Sequence, residues 1–202
     1  MKWVYKLLGL PLIYRAFTCL VSRRGRANTY LDTYVKPKPG EKVLDIGCGP
    51  GDILTVLPDV KYVGFDINPK YIKAAQERFG NRGRFYCSDV GQATIEAEKG
   101  TFDLVLATGV LHHLDDDRAG QLVDLAYKAL REGGRFVTYD GCYVPQQSRL
   151  ARAIVSRDRG RFVRSLEDYV ALAQRRFPTV APVVRHDLLR IPYTHLIMQC
   201  TK

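Results

Sequence analysis

Residues 43–51, Val-Leu-Asp-Ile-Gly-Cys-Gly-Pro-Gly, constrain this chain more than any other stretch. An apolar run holding one acid, Asp45, ends in three glycines, Gly47, Gly49 and Gly51, spaced by single residues around Cys48 and Pro50. Glycine lets a backbone turn sharply and lets a ligand approach with no β-carbon in the way. A buried strand that ends in such a loop places it at the carboxyl edge of a sheet, where open α/β folds bind ligands. The G-x-G-x-G spacing is not the G-x-G-x-x-G that seats a dinucleotide pyrophosphate, and no Lys-Ser or Lys-Thr pair completes a phosphate loop. A nicotinamide-dependent oxidoreductase is therefore disfavoured. Alone, the loop is also compatible with a plain structural turn.

The surrounding sequence alternates strand and helix. Strand-like runs are Lys42–Ile46, Tyr62–Phe65, Gly83–Cys87, Phe102–Ala107 and Arg135–Tyr139. Helical stretches lie between them, at Asp52–Leu57, Pro69–Phe79, Gln92–Ala97 and Arg118–Arg131. This rhythm predicts a parallel sheet covered by helices. Residues 143–165 interrupt it and are rich in arginine, so they are read as an insertion. Ser165 is placed to cap a helix over Leu166–Phe177, with Asp168 at its third position. Two late strands are expected near Val180–Leu189 and His195–Thr201. The 202 residues suit one domain, 1–202. Its expected parts are a helical cap (1–36), a ligand-binding core (41–142), the insertion (143–165) and a closing helix and strand hairpin (166–202).

At the amino end Trp3, Leu7, Leu10, Tyr14, Phe17 and Val21 recur at helical spacing, and Pro11 should kink that helix. Arg15 interrupts the apolar run and no small-residue cleavage site follows, so a secretory signal is rejected. Packing as a cap is favoured for residues 1–22 over peripheral contact with a membrane surface. No apolar stretch is long enough to span a bilayer. The five cysteines form neither a disulfide framework nor a zinc pattern, so free thiols in the cytoplasm and no metal site are expected. The net charge of +10 is uneven, with arginines at 149, 152, 157, 159, 161, 164, 175 and 176. Such a surface favours anionic partners, unless the charge only keeps the protein soluble.

Two further acids follow at the ends of the next strands. Asp66, in Gly64-Phe65-Asp66-Ile67, lies 19 residues after Gly47, at a position where an acid can bind both hydroxyls of a ribose. Asn68 can cap the helix that Pro69 opens, which leaves Asp66 for a ligand. Asp89, in Cys87-Ser88-Asp89-Val90, can accept from an adenine amino group, with Ile67 and Val90 on either face of the ring. Either acid could instead be an ordinary loop residue.

Taken as a set, these segments resemble the class I S-adenosylmethionine-dependent methyltransferases over about residues 41–140, and the chain looks like a small type 11/12-like member. Phe102–Ala107 is similar to the family's fourth strand, Val110-Leu111-His112-His113-Leu114-Asp115 to the run that follows it, and Ala129–Arg135 to the turn into the fifth. The resemblance implies a Rossmann-like fold: a seven-stranded, mostly parallel sheet with an antiparallel last strand, helices on both faces and an amino-terminal helical cap. It implies S-adenosylmethionine as cofactor, with S-adenosylhomocysteine as product. Asp45, Gly47, Cys48, Gly49 and Gly51 would hold its methionyl part, Asp66 the ribose, and Asp89, with Ile67 and Val90 about the ring, the adenine. Thr108 would lie near the methionyl tail or the sulfur.

Methyl transfer to a hydroxyl needs a base, and histidine titrates near neutrality. His113 is the first candidate, His112 the second and Asp140 a further one; either histidine could instead only fix its loop. His186 is weaker, and His195 reads as a strand residue. The expected acceptor is a small molecule, with an anionic one suited to the basic insertion. An RNA methyltransferase is the alternative, with no separate RNA-binding domain to favour it. A cofactor-binding regulator without catalysis is a third reading. The insertion is expected to act as a lid, with Gly160 as hinge and Arg157 and Arg159 facing the acceptor. The oligomeric state is left open.

Overall fold

The computed structural model describes residues 29–89, 98–158 and 160–202. The expected helices over 1–22 and 92–97, along with Val90 and Arg159, lie outside them. In chain order the elements are β1 (Lys42–Ile46), β2 (Lys61–Asp66), α1 (Pro69–Phe79), β3 (Gly83–Cys87) and β4 (Phe102–Thr108). There follow α2 (Asp116–Ala129), β5 (Leu130–Tyr143), α3 (Arg149–Val155), β6 (Arg164–Ser165), α4 (Leu166–Gln174), β7 (Thr179–Arg185) and β8 (His195–Thr201).

The strands lie in the order β3-β2-β1-β4-β5-β8-β7, and the two-residue β6 pairs with the end of β5. Strands β1 to β5 run parallel; β8 is antiparallel to both β5 and β7. The seven-stranded path with its antiparallel last strand is as expected, with β6 as an eighth strand off that path. The chain leaves β1 towards β2 and β3, then returns to β4 on the other side. The crevice between the carboxyl ends of β1 and β4 is thus the topological switch point, where such sheets bind ligands.

Alternation along the central strands builds two cores. Leu44, Val105 and Phe136 enter one, against Leu122 and Ala126 of α2 and Tyr169 and Leu172 of α4. Val43, Leu104 and Val137 enter the other, against Ile72, Ala75 and Phe79 of α1 and the π-helical turn Leu31–Val35. Burial on both faces is why these strands read as continuous apolar runs. Helix α1 starts where Asn68 accepts from the Lys70 amide and Pro69 takes the first position. Helix α4 starts where Ser165 accepts from the Asp168 amide, as its sequence foretold.

Several boundaries differ from expectation. The stretch after the glycine loop is only a 3-10 turn, Asp52–Thr55. Helix α2 runs Asp116–Ala129 because the Asp115 side chain caps it and Leu130 turns to extended backbone. Strand β5 continues to Tyr143, and β7 stops at Arg185. Pro182 sits in β7 because that strand is at the sheet edge, paired on one side only. The insertion is partly regular, since Ser148 caps α3 and Arg164–Ser165 joins the sheet.

Candidate functional site

Gly47, Gly49 and Gly51 all have positive φ, of 72°, 55° and 73°. The Gly47 and Cys48 amides donate to the Phe65 carbonyl at 2.8 and 2.9 Å, which pins the loop over the end of β2. A β-carbon at Gly47 would stand 2.5 Å from Val110 Cγ2, whereas one at Gly49 would meet nothing within 4 Å. Gly47 is therefore needed for packing against the loop after β4, and Gly49 borders open space that a ligand can use.

Asp66 ties this loop to β2. Its Oδ2 accepts from the Gly49 amide at 2.9 Å and its Oδ1 from the Asn68 amide at 2.8 Å. Burial raises its pKa, against the lowering effect of those two donors. Ile67 beside it is 75% exposed. Asp89 is exposed and pairs with Arg118 of α2, so a ligand amino group would share that carboxylate or displace the guanidinium.

Asp45 is placed differently. It is buried beneath the loop, accepts the Tyr62 hydroxyl at 2.6 Å, and is pushed by burial up to about 7. Cys48 is also buried, beside Gly64, where a β-carbon would stand 2.8 Å from its Sγ. These two side chains support the loop from below rather than line its open side. Thr108, at the end of β4, shares a 3.4 Å hydrogen bond with the Tyr30 hydroxyl.

A second group of residues lies past the ends of β4 and β5. Asp140 is 2% exposed, and its Oδ1 accepts from both the backbone amide of His112, at 3.2 Å, and its ring Nδ1, at 2.8 Å. Its Oδ2 is buried without a hydrogen-bond partner among the described residues. His112 is itself buried. Burial works to lower its pKa, but the Asp140 bond and charge, joined by the charge of Asp158, outweigh it and hold the pKa above the ordinary value. With Nδ1 donating to Asp140, Nε2 is left as the basic nitrogen. The Cδ2 edge of the ring faces Gly160 and the Cε1 edge faces Gly109, which follows β4. His113 is exposed, its ring 4.2 Å from that of His112. Of the two candidates, His112 is the histidine coupled to a buried carboxylate.

The insertion closes over this pair. The Phe162 amide donates to the His112 carbonyl at 3.0 Å, and Asp158 accepts the Tyr193 hydroxyl. Arg164, nearly buried, bonds the Leu111 and Leu114 carbonyls at 3.0 and 2.7 Å and forks Asp116. Arg157 is exposed and donates to the Ala153 carbonyl of the helix it follows. The loop thus turns Asp158 and Gly160 towards the His112 and Tyr193 side, in place of the expected guanidinium of Arg157. Nearby, the rings of Tyr30, Tyr139, His195 and Tyr193 form a continuous row, edge-on, stacked and tilted in turn, with centroids 5.3, 4.5 and 4.5 Å apart. This aromatic wall escaped sequence reading because its members are distant along the chain. One trace was legible: the Gly141 that follows Asp140 leaves room for Tyr193, whose hydroxyl would stand 2.3 Å from a β-carbon there. His195 is a strand residue, as read, and a member of this row.

Known proteins are similar to this chain in sequence and fold. The family model described as a methyltransferase domain matches residues 44–136. Malonyl-[acyl-carrier protein] O-methyltransferase of Paenibacillus sp. is 34% identical over 104 residues, covering 48% of this chain and 37% of that protein. Phosphoethanolamine N-methyltransferase of Triticum aestivum is 29% identical over 177 residues, 84% of this chain and 34% of that protein. The structure of phosphoethanolamine N-methyltransferase 2 from Haemonchus contortus superposes with a TM-score of 0.71 at 16% identity, covering 89% of this chain and 52% of that one. The chain spans about a third of the length of these two curated relatives. The match to the methyltransferase-domain model covers a little under half of the chain, and the fold is that of the S-adenosylmethionine-dependent methyltransferase structures.

Proposed function

We propose that this chain transfers a methyl group from S-adenosylmethionine to an O or N atom of a small-molecule acceptor. The observation that carries this reading is the meeting, at one switch point, of two separate devices. One is the open glycine loop clamped by Asp66; the other is the buried His112–Asp140 pair. The loop residues fit the cofactor. Gly49 leaves room for its methionyl part, Asp66 keeps lone pairs free for ribose hydroxyls, and Ile67 offers an apolar face to adenine. When bound, S-adenosylmethionine supplies an electrophilic methyl group on a sulfonium leaving group.

The protein's own contribution is orientation, exclusion of water and proton management. His112 Nε2 takes the acceptor's proton; Asp140 fixes the tautomer and stabilises the imidazolium that results. The aromatic row of Tyr30, Tyr139, His195 and Tyr193 walls the acceptor side. An anionic group on the acceptor fits the basic balance of the chain. The relatives include proteins named for O- and for N-methyl transfer, and the phosphoethanolamine of the second supports a small acceptor. The reduced thiols of Cys48, Cys142 and Cys200 suit the cytoplasm, and no helix among the described residues is long and apolar enough to cross a membrane.

The test joins calorimetry to a screen with labelled cofactor. S-adenosylmethionine or S-adenosylhomocysteine should bind and NAD should not, and label should pass to a small metabolite. Binding of NAD alone would overturn the family's cofactor for this chain. Binding without transfer to any metabolite or RNA acceptor would favour a regulator.

A further inference from the structure

The described arginines fall into two groups. Arg78, Arg84, Arg118, Arg131, Arg176 and Arg185 each pair with a carboxylate, as do Arg135 and Arg164. Arg82, Arg175 and Arg190 are exposed without an ion pair among the described residues at scattered positions, and so are Arg149, Arg152, Arg157 and Arg161 within one segment. They contact only local groups: Arg152 lies over the Tyr143 ring and Arg157 on the Ala153 carbonyl. The thirteen residues 149–161 therefore hold four of the seven described arginines that lack an ion pair.

The same segment and its next residue carry exposed apolar side chains. Only Val56, Ile67, Leu150 and Phe162 are large, apolar and exposed among the described residues. Ile67 borders the proposed adenine site, and two of the remaining three belong here, Leu150 at 59% and Phe162 at 41%. Helix α3 turns Ala151 and Val155 inward, so Leu150, Ala153 and the following Arg157 stand on its outer side. The helix is about 10 Å long, so these groups share a footprint the size of a few lipid headgroups.

Uncompensated guanidiniums beside exposed aliphatic and aromatic side chains match an anionic bilayer: phosphates take the charges and the acyl boundary takes the apolar groups. A nucleic acid would use the arginines too, but Leu150 offers it neither a hydrogen bond nor a ring to stack. The sequence of residues 1–28 adds Lys2, Lys6, Arg15, Arg23, Arg24 and Arg26 with no acid. The chain leaving that stretch enters the fold at Tyr30, on Thr108 and Tyr139 at the same carboxyl edge of the sheet.

We propose that Arg149, Leu150, Arg152, Arg157, Arg161 and Phe162 form a docking surface for an anionic lipid bilayer. The segment also lies on His112, through Gly160 and Phe162, so docking brings the candidate catalytic end of the sheet to the membrane. That last consequence rests on the proposed methyl transfer; the docking itself does not.

The test is flotation of the full chain with vesicles of phosphatidylcholine and phosphatidylglycerol, and with phosphatidylcholine alone. No cofactor or acceptor is added, so the result is independent of activity. The chain should float with the anionic vesicles only, and less as salt rises. Arg157→Ala/Arg161→Ala should lower the partition coefficient about five-fold per arginine removed. Leu150→Ser/Phe162→Ser should also lower it, with thermal melts confirming that both variants fold. Failure to float would overturn the proposal. So would wild-type binding by both variants, which would place the contact elsewhere. Loss in the arginine variant alone, with equal binding to RNA, would show a nucleic-acid face instead.

Discussion

Gly160 packs directly on His112: a β-carbon at 160 would stand 2.1 Å from its Cδ2 and 2.7 Å from its carbonyl oxygen. The second contact is with backbone, which cannot swing aside as a flexible side chain can. Gly160→Ala should therefore lift the segment off the ring and destabilise the fold by about 1–3 kcal/mol. Turnover should fall while cofactor affinity holds, because the glycine loop is untouched. A variant with wild-type melting temperature and kcat would show that this contact constrains nothing.

The His112–Asp140 pair sets a pH dependence. His112 acts as a base only when neutral, so turnover should rise with pH through its elevated pKa. Asp140 stabilises the imidazolium; removing that charge lowers the pKa. Asp140→Asn should thus move the rise in kcat to lower pH. His112→Ala should reduce kcat by about 10²–10⁴-fold with little change in cofactor affinity, and His113→Ala should stay near wild type. The full kcat profiles of the three variants check this, and a large loss in His113→Ala alone would transfer the role to the exposed ring.

Asp66 holds the loop and, in the proposed function, the ribose. Asp66→Ala removes two charge-assisted hydrogen bonds to a ligand, each contributing roughly 1.5–3 kcal/mol. It also frees the Gly49 and Asn68 amides, which water can satisfy at this half-exposed site. Titration calorimetry should show cofactor affinity down by at least tenfold in a folded protein. Unchanged affinity would make Asp66 a loop brace and nothing more.

Asp45 predicts a stability slope. Its ordinary pKa is 3.8, and burial pushes the folded value up to about 7. Between these values the folded chain keeps a proton that the unfolded chain has released, so stability falls as pH rises through this window. The slope from this one group is at most ~1.4 kcal/mol per pH unit. Asp45→Asn keeps an acceptor for Tyr62 and should flatten the curve. Urea unfolding across the window compares the two slopes; equal slopes would show that Asp45 ionises freely in the fold.

Local chemistry made much of the molecule legible from sequence. Asn68-Pro69 and Ser165 announced their helices because a cap is satisfied within four residues. The glycines of 47–51 announced a ligand loop because positive φ is a property of the residue itself. The apolar runs announced a two-faced sheet because burial on both sides removes alternation. What sequence could not settle were choices made between distant segments. Asp45 and Asp66 are both acids at the ends of strands, and only the position of Tyr62 sends one beneath the loop and leaves the other beside it. His112 and His113 are adjacent and chemically identical. Only the arrival of Asp140, 28 residues later on the neighbouring strand, buries one of them against a carboxylate while the other stays in solvent. Residue type and short-range spacing decide which groups a chain offers, but partnership depends on the register of strands that meet only when the sheet closes.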